Sequence, residues 1–362
     1  MFSRTLTVIV RPLVNEMKLI TKTKLYSKRA LTVIGDPLHR WKNQAFLGKQ
    51  REGVCFDFDC PGRGLFAHFS LFACVAQWAL NCQAPFVIRG RSPQYLSRDT
   101  GDDWVALLLK QRPFQRSIAS LPVLKVSRWE QMPFYRVPLP STLPEAKSLF
   151  RNHFLIADVI AAEVNRLASI LYGDSFVIGL HYRGTDKHVE SPRVDPRHAI
   201  DCARRALVAA EETGGKEPVL FVATDEEKFL SLITKELSGY RTVSLSGAVR
   251  SASDQPVHIH RPERGDQSEA RDGFRLAREA LLDCLLLGRS KVLLKTSSFL
   301  SSWSLLLGDV PSVVSLSRPY EHCNWYPENI IAPIAYEADR VREAVENAIG
   351  KSSQGSESPA SQ

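Results

Sequence analysis

At 362 residues the chain is long enough for two domains that each bury a core. Its 44% hydrophobic and 24% charged content is that of a soluble globular protein, and no apolar run approaches the roughly 20 residues of a membrane-spanning helix. The formal charge is +8, and the whole excess lies in the first fifty residues, where ten Lys and Arg face only Glu16 and Asp36.

That leader, residues 1–50, is not a secretory signal, because the apolar stretch Val8 to Val10 is cut off by Arg11-Pro12. It leaves open a solvated or peripheral-membrane face, an organelle transit peptide, and a true start at Met17. Nucleic-acid binding is not expected, since no regular aromatic-basic stripe accompanies the charge. Seven cysteines form no CxxC pair, and the odd count without a signal points to a reducing compartment, hence a cytoplasmic protein with optional membrane contact.

The spacing predicts a βαβ unit next. Val54 to Asp59 reads as a strand, Cys60 to Gly64 as a glycine-rich turn around Gly62 and Gly64, Leu65 to Cys82 as a helix with a broad apolar stripe, and Pro85 to Arg89 as a second strand. Pro-rich stretches between Pro133 and Pro144 suggest a loop or boundary. After a helix near 152–171 the pattern turns regular. Strands are expected at Ser175–His181, Pro218–Ala223, Arg241–Ser246, Lys291–Lys295 and Ser312–Ser315. Helices are expected at Pro196–Thr213, Asp225–Leu237, Glu269–Leu287 and Ser298–Leu307, with Thr224 and Glu227 as a capping box. Alternation of this kind predicts α/β architecture with parallel sheets: a Rossmann-like domain over 51–150 and another over 151–333. A helix at 334–349 and a disordered tail at 350–362 complete the division.

Ligands of open parallel sheets bind beyond the carboxyl ends of the strands, so polar clusters at strand ends carry the functional expectation. The strongest is His181-Tyr182-Arg183-Gly184-Thr185-Asp186-Lys187. Arg183 offers a planar, permanently charged fork for phosphate oxygens, Asp186 could hold it, and Lys187 adds a cation. Such a pair of cations suits a leaving diphosphate, whose charge grows as its bond breaks. Thr224-Asp225 ends the next strand at a helix start. Asp283 stands in a Leu-rich helix and needs a partner there: a ribose, a base edge, or a neighbouring Arg such as Arg278 or Arg289. Thr296-Ser297-Ser298 opens another helix, as an anion cradle or simply as a cap.

The order HxR-x-TDK, then ATD, an Asp in a Leu-rich helix, and a strand ending TSS resembles the GDP-fucose-dependent fucosyltransferases, nearest the α1,6 and nodulation enzymes. The likeness spans roughly residues 54–316, and Pro61-Gly62-Arg63-Gly64-Leu65 looks like the family's glycine-rich turn. It implies a GT-B fold, donor binding mainly by the second half, and metal-independent transfer of fucose to a glycan hydroxyl with inversion. It needs no cofactor beyond the GDP-fucose donor. By resemblance Arg183 grips the β-phosphate, His181 lies beside the base, and Asp283 and Ser298 contact the donor. Asp186 and Lys187 match the next two functional positions, and Glu190 is the nearest candidate for the base, shifted by one position. Gly184 departs from the α1,6 pattern, which carries a second arginine at that place.

Two rivals remain. Asp57-Phe58-Asp59 is literally a DxD, the metal-holding pair of GT-A glycosyltransferases. A non-catalytic nucleotide-sugar-binding protein is the other. His258-Ile259-His260 lacks a nearby third metal ligand, and no GxSxG elbow is present.

Overall fold

The computed structural model describes residues 42–43, 45–47, 53–60, 64–92, 95, 103–112, 121–128, 137–184, 193–213, 216–246, 248, 250–251, 273–317 and 325–354. The leader, apart from residues 42–43 and 45–47, lies outside them, as do Gly62, Asp186, Lys187, Glu190 and the His258/His260 pair.

In the first half, strand β1 (Val54–Phe58) leads through Gly64 into helix α1 (Leu65–Cys82), which returns as β2 (Phe86–Gly90). Helix α2 (Trp104–Leu108) and strands β3 (Leu109–Gln111) and β4 (Val123–Val126) follow, then α3 (Leu143–Arg151) and β5 (Phe154–Ile156). A three-stranded parallel sheet has the order β2-β1-β4, while β3 and β5 pair antiparallel. Strand β5, which lies beyond residue 150, thus pairs with a strand of the first half. All of β1 is buried, as a central parallel strand covered on both faces should be.

Helix α1 is buried nearly all round rather than along one stripe, with fourteen of its residues inside. Contrary to the expectation of no membrane-length segment, it is long and apolar enough to cross a bilayer, with mean hydropathy 1.4. Yet 78% of it is buried within the protein, which makes it a core helix.

The second half begins with α4 (Asp158–Tyr172) and β6 (Phe176–Tyr182). Then come α5 (Pro196–Glu212), β7 (Pro218–Thr224), α6 (Glu227–Glu236), β8 (Arg241–Val243), α7 (Gly273–Leu287), β9 (Val292–Lys295), α8 (Phe299–Leu307) and β10 (Ser312–Ser315). A short helix α9 (Glu328–Ile331), strand β11 (Tyr336–Glu337) and helix α10 (Val341–Gln354) close the chain. Residues 334–349 are therefore not one helix. The first of them finish a 3-10 turn around Pro333 and then join the sheet, and α10 runs on to Gln354, into the segment expected to be disordered.

Six strands pair in parallel in the order β11-β10-β9-β6-β7-β8. From β6 the chain moves outward to β7 and β8, then jumps back to β9 on the other side of β6 and moves outward again. Strand order thus reverses between β6 and β9, and the helices that follow them, α5 and α8, pack in different buried clusters. Such a reversal is the place where doubly wound sheets bind ligands, beyond the carboxyl ends of the strands.

The two halves share a core. Trp303 of α8 packs edge-on against Phe69 of α1 at 5.5 Å and Phe150 of α3 at 4.7 Å, and its indole N–H donates to Ser70 Oγ at 3.1 Å. Ser70 in turn donates to the carbonyl of Tyr326 at 2.8 Å. Helices α1 and α8, which follow β1 and β9, thus pack against each other.

Candidate active site

Arg183 follows the last residue of β6 and stands at the switch point. Its backbone N–H donates to Thr296 Oγ1 at 3.1 Å, and the N–H of Thr296 donates to the carbonyl of His181 at 3.1 Å. The residues after β6 and β9 are thereby stitched together at the switch point. The Arg183 guanidinium faces Asp225, just beyond β7, with Nε 3.9 Å from Oδ2, and both side chains are about a fifth exposed. Arg183, Asp225 and the 296–298 turn therefore gather at three adjacent strand ends.

His181 sits beneath them, buried, with Nδ1 3.4 Å from Thr296 Oγ1. Burial, reinforced by the positive charges of Arg183 and Lys295, pushes its pKa down to about 3, so the ring is neutral at physiological pH.

Hydroxyls of the 296–298 turn are occupied within the protein. Ser298 is the N-cap of α8, its Oγ accepting the Leu300 N–H at 3.2 Å. Ser297 Oγ donates to Glu328 at 3.2 Å, and its N–H donates to Ser317 Oγ at 2.9 Å. Glu328 is a residue that sequence reasoning missed. It is buried and receives Lys295 Nζ at 2.7 Å on both oxygens, while Ser302 donates to it as well. Lys295, at the end of β9, is thus neutralised by a buried ion pair. A lone Glu in the short stretch after Tyr326-Pro327 carried no sequence signal of this partnership.

Thr224 and Glu227 do not form the expected capping box. Thr224 Oγ1 accepts the N–H of Glu226 at 3.2 Å, Glu226 itself is the N-cap, and Glu227 faces Arg250 with N···O 3.9 Å. The turn after β7 is instead held by Ser251, which donates to the Asp225 carbonyl at 2.8 Å and accepts from the Glu227 N–H at 3.2 Å.

Asp283, on α7, is paired with neither of the arginines considered for it. Arg278 binds Glu163, and Arg289 binds Asn165. Burial raises the Asp283 pKa to about 7 against the attraction of Arg250, with Glu279 adding to the rise. Arg250, whose charge acts on Asp283, is the chain neighbour of Ser251, which holds the Asp225 turn.

On the first half, Gly64 lies at the amino end of α1 with φ −65°, and the space beside it is open. Asp57 is committed to Arg89, its strand neighbour in the parallel register, through bonds of 2.5 and 2.9 Å. That leaves Asp59 as the only member of the DxD with an exposed carboxylate, a poor fit to a metal held by both. Among the described residues no cluster of three metal-ligating side chains forms.

No family model matches the chain, and no curated protein does either. Among solved structures, it is similar to NodZ alpha-1,6-fucosyltransferase co-crystallised with GDP, at 15% identity and TM-score 0.45, over 74% of this chain and 95% of that one. It is also similar to Arabidopsis thaliana FUT1 in complex with GDP, at 15% identity and TM-score 0.42, over 75% and 73%. POFUT1 in complex with GDP-fucose matches at 10% identity and TM-score 0.30, over 74% of each chain.

Proposed function

We propose that the chain is an inverting glycosyltransferase that binds GDP-fucose and transfers fucose to a glycan hydroxyl, of the α1,6 type that the motif order resembles. The observation that carries this reading is Arg183 at the switch point of the second sheet, tied to Thr296 and facing Asp225. A fixed guanidinium at the carboxyl ends of parallel strands is suited to an anionic ligand bound there.

In this reading Arg183 holds the departing diphosphate, and its charge grows in value as the glycosidic bond breaks. His181, kept neutral, can hydrogen-bond to the donor without competing for the phosphates. Lys187 supplies a second cation, Asp186 and Asp225 orient the positive groups, and Glu190 accepts the proton of the attacking hydroxyl. Thr224, Thr296, Ser297 and Ser298 shape the donor side, and Asp283 contacts the nucleotide. Charge neutralisation by side chains takes the place of a divalent ion, so no metal or other cofactor is needed.

A thermal-shift panel of GDP, UDP, ADP and TDP, each with and without Mg²⁺, tests this. GDP should raise the melting temperature selectively, and equally with or without Mg²⁺. Arg183→Ala should reduce the rise without removing it and lower turnover at least about a hundredfold, the scale of lost transition-state charge stabilisation. A response confined to Mg²⁺-containing samples, or one indifferent to Arg183, would exclude the proposal.

A further inference from the structure

The space beside Gly184 is taken. A Cβ at this position would lie 1.9 Å from Oε1 of Glu226 and 2.5 Å from its carboxyl carbon. Glu226 is not a side chain that can swing aside. It is 8% exposed, and Oε1 accepts from Arg193 Nη2 at 2.9 Å. Its backbone is held as well, by Thr224 Oγ1 and by a bridge to Ser251. Arg193 is anchored in turn, because the next residue, Val194, accepts the Tyr182 hydroxyl at 2.9 Å, and the Tyr182 ring stacks on Phe229 at 3.8 Å. A nearly buried carboxylate thus sits between the peptide that follows Arg183 and a guanidinium from just before α5.

We propose that Glu226, held by Arg193, is a positioning residue for Arg183, and that its carboxylate is what requires glycine at 184. The inference rests on the reading of Arg183 as the diphosphate-binding group. Thr296 fixes Arg183 from its amide side and Asp225 faces its guanidinium. Glu226 closes the remaining side, against the residue that follows. Preorganisation of this kind matters because a cation that must reorganise while charge develops loses much of its stabilising effect. A carboxylate this far from water is costly unless paired, and Arg193 is the pair that keeps it in place.

The test is a double-mutant cycle read as GDP affinity by calorimetry, on the full chain. Glu226→Gln keeps the shape and removes the charge that holds Arg193. It should weaken GDP binding about tenfold when Arg183 is present and less than about twofold in the Arg183→Ala background. Gly184→Ala should weaken binding similarly, and should have less than about a twofold effect once Glu226→Ala has opened the space. Urea unfolding midpoints confirm that each variant is folded. Should Glu226→Gln not fold, Arg193→Gln, whose side chain is 44% exposed, supports the same comparison. Equal losses with and without Arg183 would mean that Glu226 acts on the fold generally, and would overturn the proposal. If the wild-type chain binds GDP through Arg183 but is indifferent to Glu226, the positioning role alone falls. If it does not bind GDP, the donor-site reading falls with it.

Discussion

His181 and Asp283 carry opposite pH signatures because burial acts on them in opposite senses. For His181 the folded pKa of about 3 lies below its ordinary value of 6.5. The unfolded chain therefore binds the extra proton between those limits, and stability rises with pH by at most about 1.4 kcal/mol per unit there. For Asp283 the folded pKa of about 7 lies above its ordinary value of 3.8, so the folded chain binds the extra proton and stability falls as pH rises through that window. Across roughly pH 4 to 6.5 the two slopes oppose each other. Urea denaturation at several pH values should show His181→Gln losing stability relative to wild type with rising pH, and Asp283→Asn gaining it. Parallel slopes in both variants would refute the assignment. Which residues mattered was partly legible in the sequence. Arg183 stood out because a strand led directly into it, whereas Glu226 and Glu328 lacked any local signature. Their partners, Arg193 and Lys295, come from other elements, and single-residue context cannot report such pairings.

At the scale of elements, periodicity located α1 to the residue and β6 to β10 to within three residues, whereas β11 fell inside a segment expected to be helical. Fully buried parallel strands are near-continuous apolar runs, and β6 and β7 are of this kind. Residues 90–150 resisted because α2, β3 and β4 are five, three and four residues long, too short for a period to emerge. The capping box failed for a different reason: Ser251, supplied from after β8, competes for the same turn. The TSS turn is built around the Lys295–Glu328 pair, which joins the end of β9 to α9 in a region with almost no solvent. Lys295→Met alone should cost about 3–5 kcal/mol, since it strands a buried carboxylate. Adding Glu328→Gln should restore much of that loss while keeping partners for Ser297 and Ser302. Chemical denaturation of the single and double variants decides it; additive losses would show that the pair is not coupled.

For the whole molecule, the sequence suggested two domains, and two sheets are present; α5, α6 and α10 bury one face of the second sheet in a cluster of its own, but its other face shares a core with the first half. Phe69, Phe72, Phe150, Phe154, Trp303 and Leu286 belong to one buried cluster that extends across both halves. Composition could not reveal this, because a helix facing its own sheet and a helix facing another domain show the same apolar pattern. Calorimetry should accordingly give one unfolding transition, with calorimetric and van't Hoff enthalpies in agreement. Trp303→Ala should lower that transition by about 3–5 kcal/mol without dividing it. Two resolved transitions in the wild-type chain would contradict a shared core.

Helix α1 gives this arrangement a cost during synthesis. Ser70 meets Trp303 across 233 residues of sequence, so the helix emerges from the ribosome long before the element that covers it. For that interval the nascent chain displays an apolar segment of membrane-spanning length, which makes it a natural client for chaperones and leaves the isolated amino-terminal half prone to aggregation.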